Sequence, residues 1–334
     1  MRTGDAQDFL LGVYDMAFGR VPGEKEIETF LPQLENESIS PSQFVQLCMN
    51  SSEYRIRHGV SSEFPMGHYH SPVVDPGSVR SYVRREQQLS IQDLSGIPIA
   101  LNAMRGIWLR HLSFTQENAF SCEPNPRDRF RYGDGPFPEG DARTLQLMFA
   151  EFRPRRIIEI GSGYSTACMF DAAERLGLDP LNVVCIEPYP ARLRSMLRPD
   201  DKITLIETPV QEVDSAIVDS LEANDILFID STHVLKTGSD VHFELFHLLP
   251  RLKTGVLVHF HDVGFPFEYP DEWIFKLNYS WNETYALRAF LMYNSDFEIV
   301  YWCSALIQRF SAQMHEECPL VSGNPGGSIW LRRK

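Results

Sequence analysis

No two cysteines in this chain of 334 residues are spaced C-x-x-C, and its six cysteines are scattered from Cys48 to Cys318. That pattern excludes a zinc ribbon and offers no disulfide framework, so the thiols are expected to be reduced and mostly buried, as in a cytoplasmic protein. No apolar run reaches membrane-spanning length, and the opening Met1-Arg2-Thr3-Gly4-Asp5 carries an acid where a secretory leader would be apolar. Positive charge is scarce: 31 Lys and Arg face 45 Asp and Glu, a formal net charge of −14. Nucleic-acid binders carry a clustered basic face, so a nucleic-acid partner is not expected. Local basic groups such as Arg84-Arg85 and Arg153 to Arg156 read as solvated helix ends. The length suits one large or two modest domains with ample core.

What is present centres on the stretch from Arg155 to Thr166. Ile157, Ile158 and Ile160 form a β-branched apolar run, the pattern of a parallel strand covered on both faces. Glu159 interrupts it, and a carboxylate there needs either a polar ligand or a backbone donor. Gly161 and Gly163 permit a tight turn, and Ser165 and Thr166 suit the first turn of a following helix. The turn lacks the third glycine of a dinucleotide fingerprint, where Thr166 stands, and it lacks the lysine of a phosphate loop. An acid ahead of the glycines favours a cationic ligand over a phosphate.

Glu159-Ile160-Gly161-Ser162-Gly163 resembles the cofactor motif of class I S-adenosylmethionine-dependent methyltransferases. The resemblance continues along the chain and implies a doubly wound, Rossmann-like α/β fold with a seven-stranded sheet. Val183 to Ile186 reads as a second strand ending at Glu187, which the resemblance implies holds the ribose hydroxyls. Ile203 to Ile206 is a third, followed by Gln211 in the segment that contacts adenine in the family. Asp225 to Asp230 and Gly255 to Asp262 are the fourth and fifth, and Phe297 to Trp302 and Ser328 to Leu331 the sixth and seventh, both expected antiparallel. The implied cofactor contacts are Glu159, Gly161, Ser162, Gly163, Tyr164, Ser165, Glu187, Gln211 and Asp230.

Chemistry is expected at the C-terminal ends of the parallel strands. Asp230-Ser231-Thr232-His233 follows the fourth and His259-Phe260-His261-Asp262 ends the fifth. An imidazole accepts a hydroxyl proton at neutral pH, which makes His233 the candidate base, with Asp230 beside it. The Asp230/His233 spacing resembles sugar and natural-product O-methyltransferases that pair a metal-binding Asp with a His three residues later. Asp230, His261 and Asp262 are thus candidate ligands for Mg²⁺ or another divalent cation. The alternative is a metal-free hydrogen-bonded pair, His261 with Asp262.

The expected organisation has three parts. Residues 1–58 carry helical periodicity and resemble a small helical module of unassigned function found in bacterial secreted and glycan-related proteins. It reads either as a docking module or as a cap. Residues 59–140 read as an irregular, proline-rich lid and connecting segment, and 141–334 as the methyltransferase domain, with Asp141 in a helix N-terminus. The segment Phe64 to Pro72 and the run Arg131-Tyr132-Gly133-Asp134 resemble a bacterial small-molecule and glycan-type subgroup. They mark Tyr69, His70, Arg131 and Tyr132 as lid residues, and Phe265 and Tyr269 as part of an aromatic acceptor wall. The reaction expected is O-methylation of a sugar, glycan or other polyhydroxylated small molecule. Two alternatives stand beside it: N-methylation of an amino sugar or small amine, and a non-catalytic cofactor-binding scaffold in glycan assembly. A homo-oligomer is compatible with either.

Overall fold

Strand β1 (Arg156–Ile160) is where the sheet begins to grow in both directions. It pairs in parallel with β2 (Asn182–Ile186) on one side and, across the sheet, with β4 (Ile226–Ile229) on the other. β3 (Ile203–Ile206) lies outside β2, and β5 (Leu257–Phe260) outside β4, both parallel. β6 (Phe297–Trp302) and β7 (Ile329–Arg333) complete the order β3-β2-β1-β4-β5-β7-β6. The computed structural model describes residues 3–57, 64, 67–133, 135–178 and 180–334.

The seven-stranded Rossmann-like sheet is as the sequence implies, with one correction at its edge. β7 runs antiparallel to both β5 and β6. Because β7 is inserted between them, β6 must point the same way as the first five strands, and only β7 is reversed. All four residues of β4 and all four of β5 are buried, as expected of strands covered by helices on both faces. Strand order reverses between β2 and β4 around β1, and at such a switch point the loops diverge and leave a crevice.

The chain forms two compact units, Met1–Val79 and Arg80–Lys334. In the first, helices Thr3–Phe18, Glu24–Glu35, Pro41–Asn50 and Ser52–Arg57 enclose a core that includes Leu10, Tyr14, Leu34 and Phe44. Ser40 caps the third helix by accepting from the Gln43 amide, and Pro41 sits at its first position. Arg20 ties the unit together through ion pairs with Glu26 and Glu53.

The expectation of an irregular segment over 59–140 does not hold for its described part. It contains helices Pro76–Glu86 and Leu101–Glu117. The second buries Met104, Ile107, Trp108 and Thr115 on one face. Its polar anchor is remote in sequence: the Trp108 indole N–H donates to Glu317 Oε2 at 2.6 Å, and Arg105 pairs with the same carboxylate. A helix held by a partner some 200 positions away has a weak local signature. Next to it, helix Glu139–Phe152 is buried continuously from Gly140 to Phe149 and packs along helix Tyr164–Leu176.

Candidate active site

The turn after β1 is tight because β1 and β4 leave it no room. Gly161 has φ +74°, and a Cβ there would stand 1.9 Å from the Asp230 carbonyl oxygen. The Asp230 amide in turn donates to the Ile160 carbonyl at 2.9 Å. Glu159 is fully buried and accepts from Ser165 Oγ at 2.6 Å and Thr166 Oγ1 at 2.5 Å. Thr166 Oγ1 also accepts from the Gly163 amide at 3.0 Å. Glu159 therefore braces the turn from beneath instead of facing the crevice. Burial pushes its carboxyl up to about 7, with the two hydroxyls opposing.

Above the turn is a cavity of about 270 Å³. The turn from Gly161 to Ser165 forms one wall with Glu187 and Arg192, and Asp230, His233, His261 and Asp262 form the other. Glu187, just past β2, is fixed by the Ser162 amide at 3.2 Å and the Tyr189 amide at 2.7 Å. Arg192 lies over the Tyr164 ring, 5.7 Å from its centroid. These residues fit S-adenosylmethionine: a carboxylate at the end of β2 for ribose hydroxyls, backbone exposed at a glycine turn, and acids opposite for a sulfonium. Gln211 is not part of this wall; its side-chain amide reaches the Gly238 carbonyl at 3.3 Å.

His233 sits beyond β4 with φ +61°, in the left-handed region. Its Nδ1 is 2.8 Å from Glu283 Oε2, and its Nε2 lies 3.4 Å from Asp262 Oδ2 and 3.6 Å from Asp230 Oδ1. The indole of Trp281 covers the ring at 4.4 Å. The backbone holds the pair in place, because the amides of Asn282 and Glu283 both donate to the His233 carbonyl at 3.1 Å. Burial opposes a charge on His233, but the Glu283 bond together with the charges of Glu283, Asp262 and Asp230 outweighs it and raises the imidazole above its ordinary value. Burial raises Glu283 as well, against the pull of His233. Sequence reasoning missed Glu283. Its one local trait, an acid opening helix Glu283–Leu291, is common at helix N-termini.

The metal expectation is corrected. Asp230, His261 and Asp262 do face one another, but among the described residues no group of three or more His, Cys, Asp or Glu is arranged to hold a metal. The donor set explains why. Burial resists a charge on His261, yet Asp230, Asp262 and Asp141 hold it up to about 9, so it is an imidazolium at neutral pH. Burial also pushes Asp230 above its ordinary value. The carboxylates already face the protonated His261 ring, and a protonated imidazole has no lone pair to coordinate. His259, two positions earlier, is stacked on Phe228 at 3.7 Å and held neutral by burial.

A second cavity, about 730 Å³, adjoins the first and shares Pro136 and Asp262 with it. Phe265, Tyr269, Trp273, Tyr279 and Trp281 supply its aromatic wall. Asp141 lines it too, and is a brace rather than the N-cap, which is Pro138: it accepts from the Gly327 amide at 3.1 Å and from the Ser328 hydroxyl. Tyr132 is corrected from lid to core, buried against Phe120 and Phe130, and Arg131 lines neither cavity. Tyr69 and His70 belong to the first unit, where their rings lie 4.3 Å apart. Pro65, Met66 and Asp134 lie outside the described residues.

A family model described as a methyltransferase domain matches residues 158–263, from β1 to just beyond β5. An uncharacterised protein of Archaeoglobus fulgidus is 29% identical over 174 residues, 50% of this chain and 77% of its own. The SAH-bound methyltransferase PaMTH1 of Podospora anserina is 17% identical, covering 82% of this chain and 99% of its own at a TM-score of 0.40. The O-methyltransferase TomG of Streptomyces achromogenes, involved in tomaymycin synthesis, is 17% identical over 61% and 82% at 0.36. The plantazolicin methyltransferase BpumL is 12% identical over 77% and 100% at 0.39. Likenesses of that size say nothing about what this chain methylates. The family model runs across the five strands that build the crevice, and that part of the chain is a methyltransferase domain, as its resemblance to the class I S-adenosylmethionine-dependent methyltransferases implies.

Proposed function

We propose that this methyltransferase acts on a hydroxyl of a sugar, glycan or other polyhydroxylated small molecule in the cytoplasm, with His233 as general base. The observation that carries the reading is the orientation of one ring: Glu283 engages Nδ1, which leaves Nε2 facing the junction of the two cavities. Bound S-adenosylmethionine supplies an electrophilic methyl on sulfur. The chain's part is alignment, proton removal and exclusion of water. A hydroxyl entering from the larger cavity meets Nε2 where the cavities join at Asp262. With the cofactor bound, the methyl would pass from sulfur to the acceptor oxygen and the thioether would leave, while His233 Nε2 would take the hydroxyl proton and Glu283 compensate the imidazolium. Trp281 shields that ring on one face.

The experiment that tests the substrate class incubates a cell extract with isotopically labelled S-adenosylmethionine, with and without the protein, and identifies labelled products by mass spectrometry. A labelled glycan or small polyol is expected. A labelled protein or nucleic acid would overturn the reading, and label on an amine nitrogen would favour N-methylation.

A further inference from the structure

The smaller cavity carries one guanidinium that no acid of the chain pairs with. Arg192, on the short helix Ala191–Met196, is the one Lys or Arg on its wall among the described residues. Its neighbours are all paired: Arg194 of the same helix with Glu207, Arg129 with Asp171, and Arg198 with Glu174. Arg192 instead meets the Tyr164 ring, and a ring face takes none of the five N–H donors that lie in the plane of the group. The side chain is exposed, but its place is set from two sides. A Cβ on Gly163 would stand 3.2 Å from Arg192 Cδ, so the stem runs along the glycine turn, and one on Gly135 would fall 2.3 Å from the Tyr164 ring, which is thereby backed. Glu187, on the same wall, is already engaged by the Ser162 and Tyr189 amides. Across the cavity, the charge of Arg192 favours the Asp230 carboxylate less than either imidazole does. The other cation on the wall, His261, is held by Asp230, Asp262 and Asp141.

We infer that Arg192 receives the α-carboxylate of S-adenosylmethionine and of its product S-adenosylhomocysteine, and so selects the amino-acid end of the donor. The inference rests on reading this cavity as the methyl-donor site. The donor brings three charges, a sulfonium, an ammonium and a carboxylate. Acids stand on the wall for the first two, and the third needs a donor of hydrogen bonds, because a carboxylate taken out of water without one is costly. A guanidinium meets a planar carboxylate with two parallel N–H bonds, a geometry that an ammonium does not reproduce. A decarboxylated donor, whose chain ends in an amine alone, leaves that fork unmet and is disfavoured. The exposure of Arg192 bounds the effect, since an ion pair open to water is worth less than a buried one.

The test is a two-by-two comparison by calorimetry on the full chain: S-adenosylhomocysteine and its decarboxylated analogue, each against the unaltered protein and Arg192→Gln. The unaltered chain should prefer S-adenosylhomocysteine about fivefold to tenfold, between the scale of an exposed ion pair and that of a charged hydrogen bond. Arg192→Gln should cut the preference to about twofold or less by weakening S-adenosylhomocysteine alone, and the analogue's retained affinity reports that the variant is folded. Arg192→Lys, which keeps the charge and loses the fork, should fall between the two. Equal affinities of the two ligands for the unaltered chain would overturn the inference without recourse to a variant. So would a preference that persists in Arg192→Gln, or an equal loss of both ligands there, which would put Arg192 against the nucleoside instead. Failure of either ligand to bind the unaltered chain at all would overturn the donor-site reading and this inference with it, an outcome distinct from equal binding.

Discussion

Glu283 Oε2 lies 2.8 Å from His233 Nδ1, although fifty positions separate the two residues in the chain. That bond fixes which imidazole nitrogen is free to accept a proton, because an N–H held at Nδ1 leaves the lone pair at Nε2. His233→Ala should lower kcat on the order of 10²-fold or more, the usual contribution of a general base. Glu283→Gln keeps a polar partner at Nδ1 and removes its charge, so a smaller loss, about tenfold, is expected. Calorimetry should find S-adenosylhomocysteine affinity little changed in both. A His233→Ala protein with near-normal kcat would remove the base from the mechanism.

The same bond shapes the pH profile. His233 works only when neutral, and its ionisation is raised above the ordinary imidazole value chiefly by Glu283 acting against burial. The rate should therefore fall as pH drops through an inflection above about 6.5, the unperturbed value. In Glu283→Gln burial is opposed only by Asp262 and Asp230, and the inflection should move down. A kcat profile whose inflection stays in place in that variant would show that another group is being titrated.

Cofactor binding should depend on Glu187 and on the absence of a side chain at Gly161. Loss of the Glu187 carboxylate removes charged hydrogen bonds worth roughly 1.5–3 kcal/mol each. Glu187→Ala should accordingly weaken S-adenosylhomocysteine binding at least about tenfold while leaving thermal unfolding nearly unchanged. Gly161→Ala puts a Cβ into the Asp230 carbonyl at φ +74°, so it should damage both binding and stability. Unaltered affinity in both variants would mean that the ligand sits elsewhere.

Chelation should have no effect on turnover. The acids that a divalent cation would need already face the protonated His261 ring, and no cluster of three suitable ligands occurs among the described residues. An assay after treatment with EDTA, then again with Mg²⁺ or Mn²⁺ added back, checks this. Loss of activity on chelation and recovery with metal would show that the acids rearrange around a cation.

His261 links the site to stability. Its folded-state value of about 9 lies above the ordinary 6.5, so its contribution is fully present below pH 6.5 and is lost as pH rises through 9. The shift corresponds to up to about 3 kcal/mol, an order-of-magnitude figure for a buried, coupled group. Denaturant unfolding should show stability declining between pH 6.5 and 9, with a flatter profile in His261→Gln. An equal slope in both proteins would assign the loss to other groups.

Much of the cofactor side is written in local sequence. The apolar run Ile157 to Ile160, the glycines at 161 and 163 and the acid at 187 specify strand, turn and carboxylate within one βαβ unit, and each element stands where that pattern puts it. Local reading fails where a residue's partner is distant. Glu159 looks like a ligand contact until Ser165 and Thr166 fold back beneath it. Tyr132 looks like a lid residue until Phe120 and Phe130 enclose it.

The acceptor side was decided by tertiary structure. Sequence alone determined a parallel α/β sheet, a glycine turn for a cationic nucleoside, and His233 as the imidazole past the fourth strand, because periodicity and turn chemistry act between neighbours in the chain. It could not show that Glu283 would reach Nδ1, that Trp281 would cover the ring, or that three acids would convert His261 from a metal ligand into a cation. Those outcomes arise from charges and rings brought together from β4, β5 and the segment before helix Glu283–Leu291. Coulombic coupling and desolvation depend on distance in space and on burial, neither of which the order of residues records.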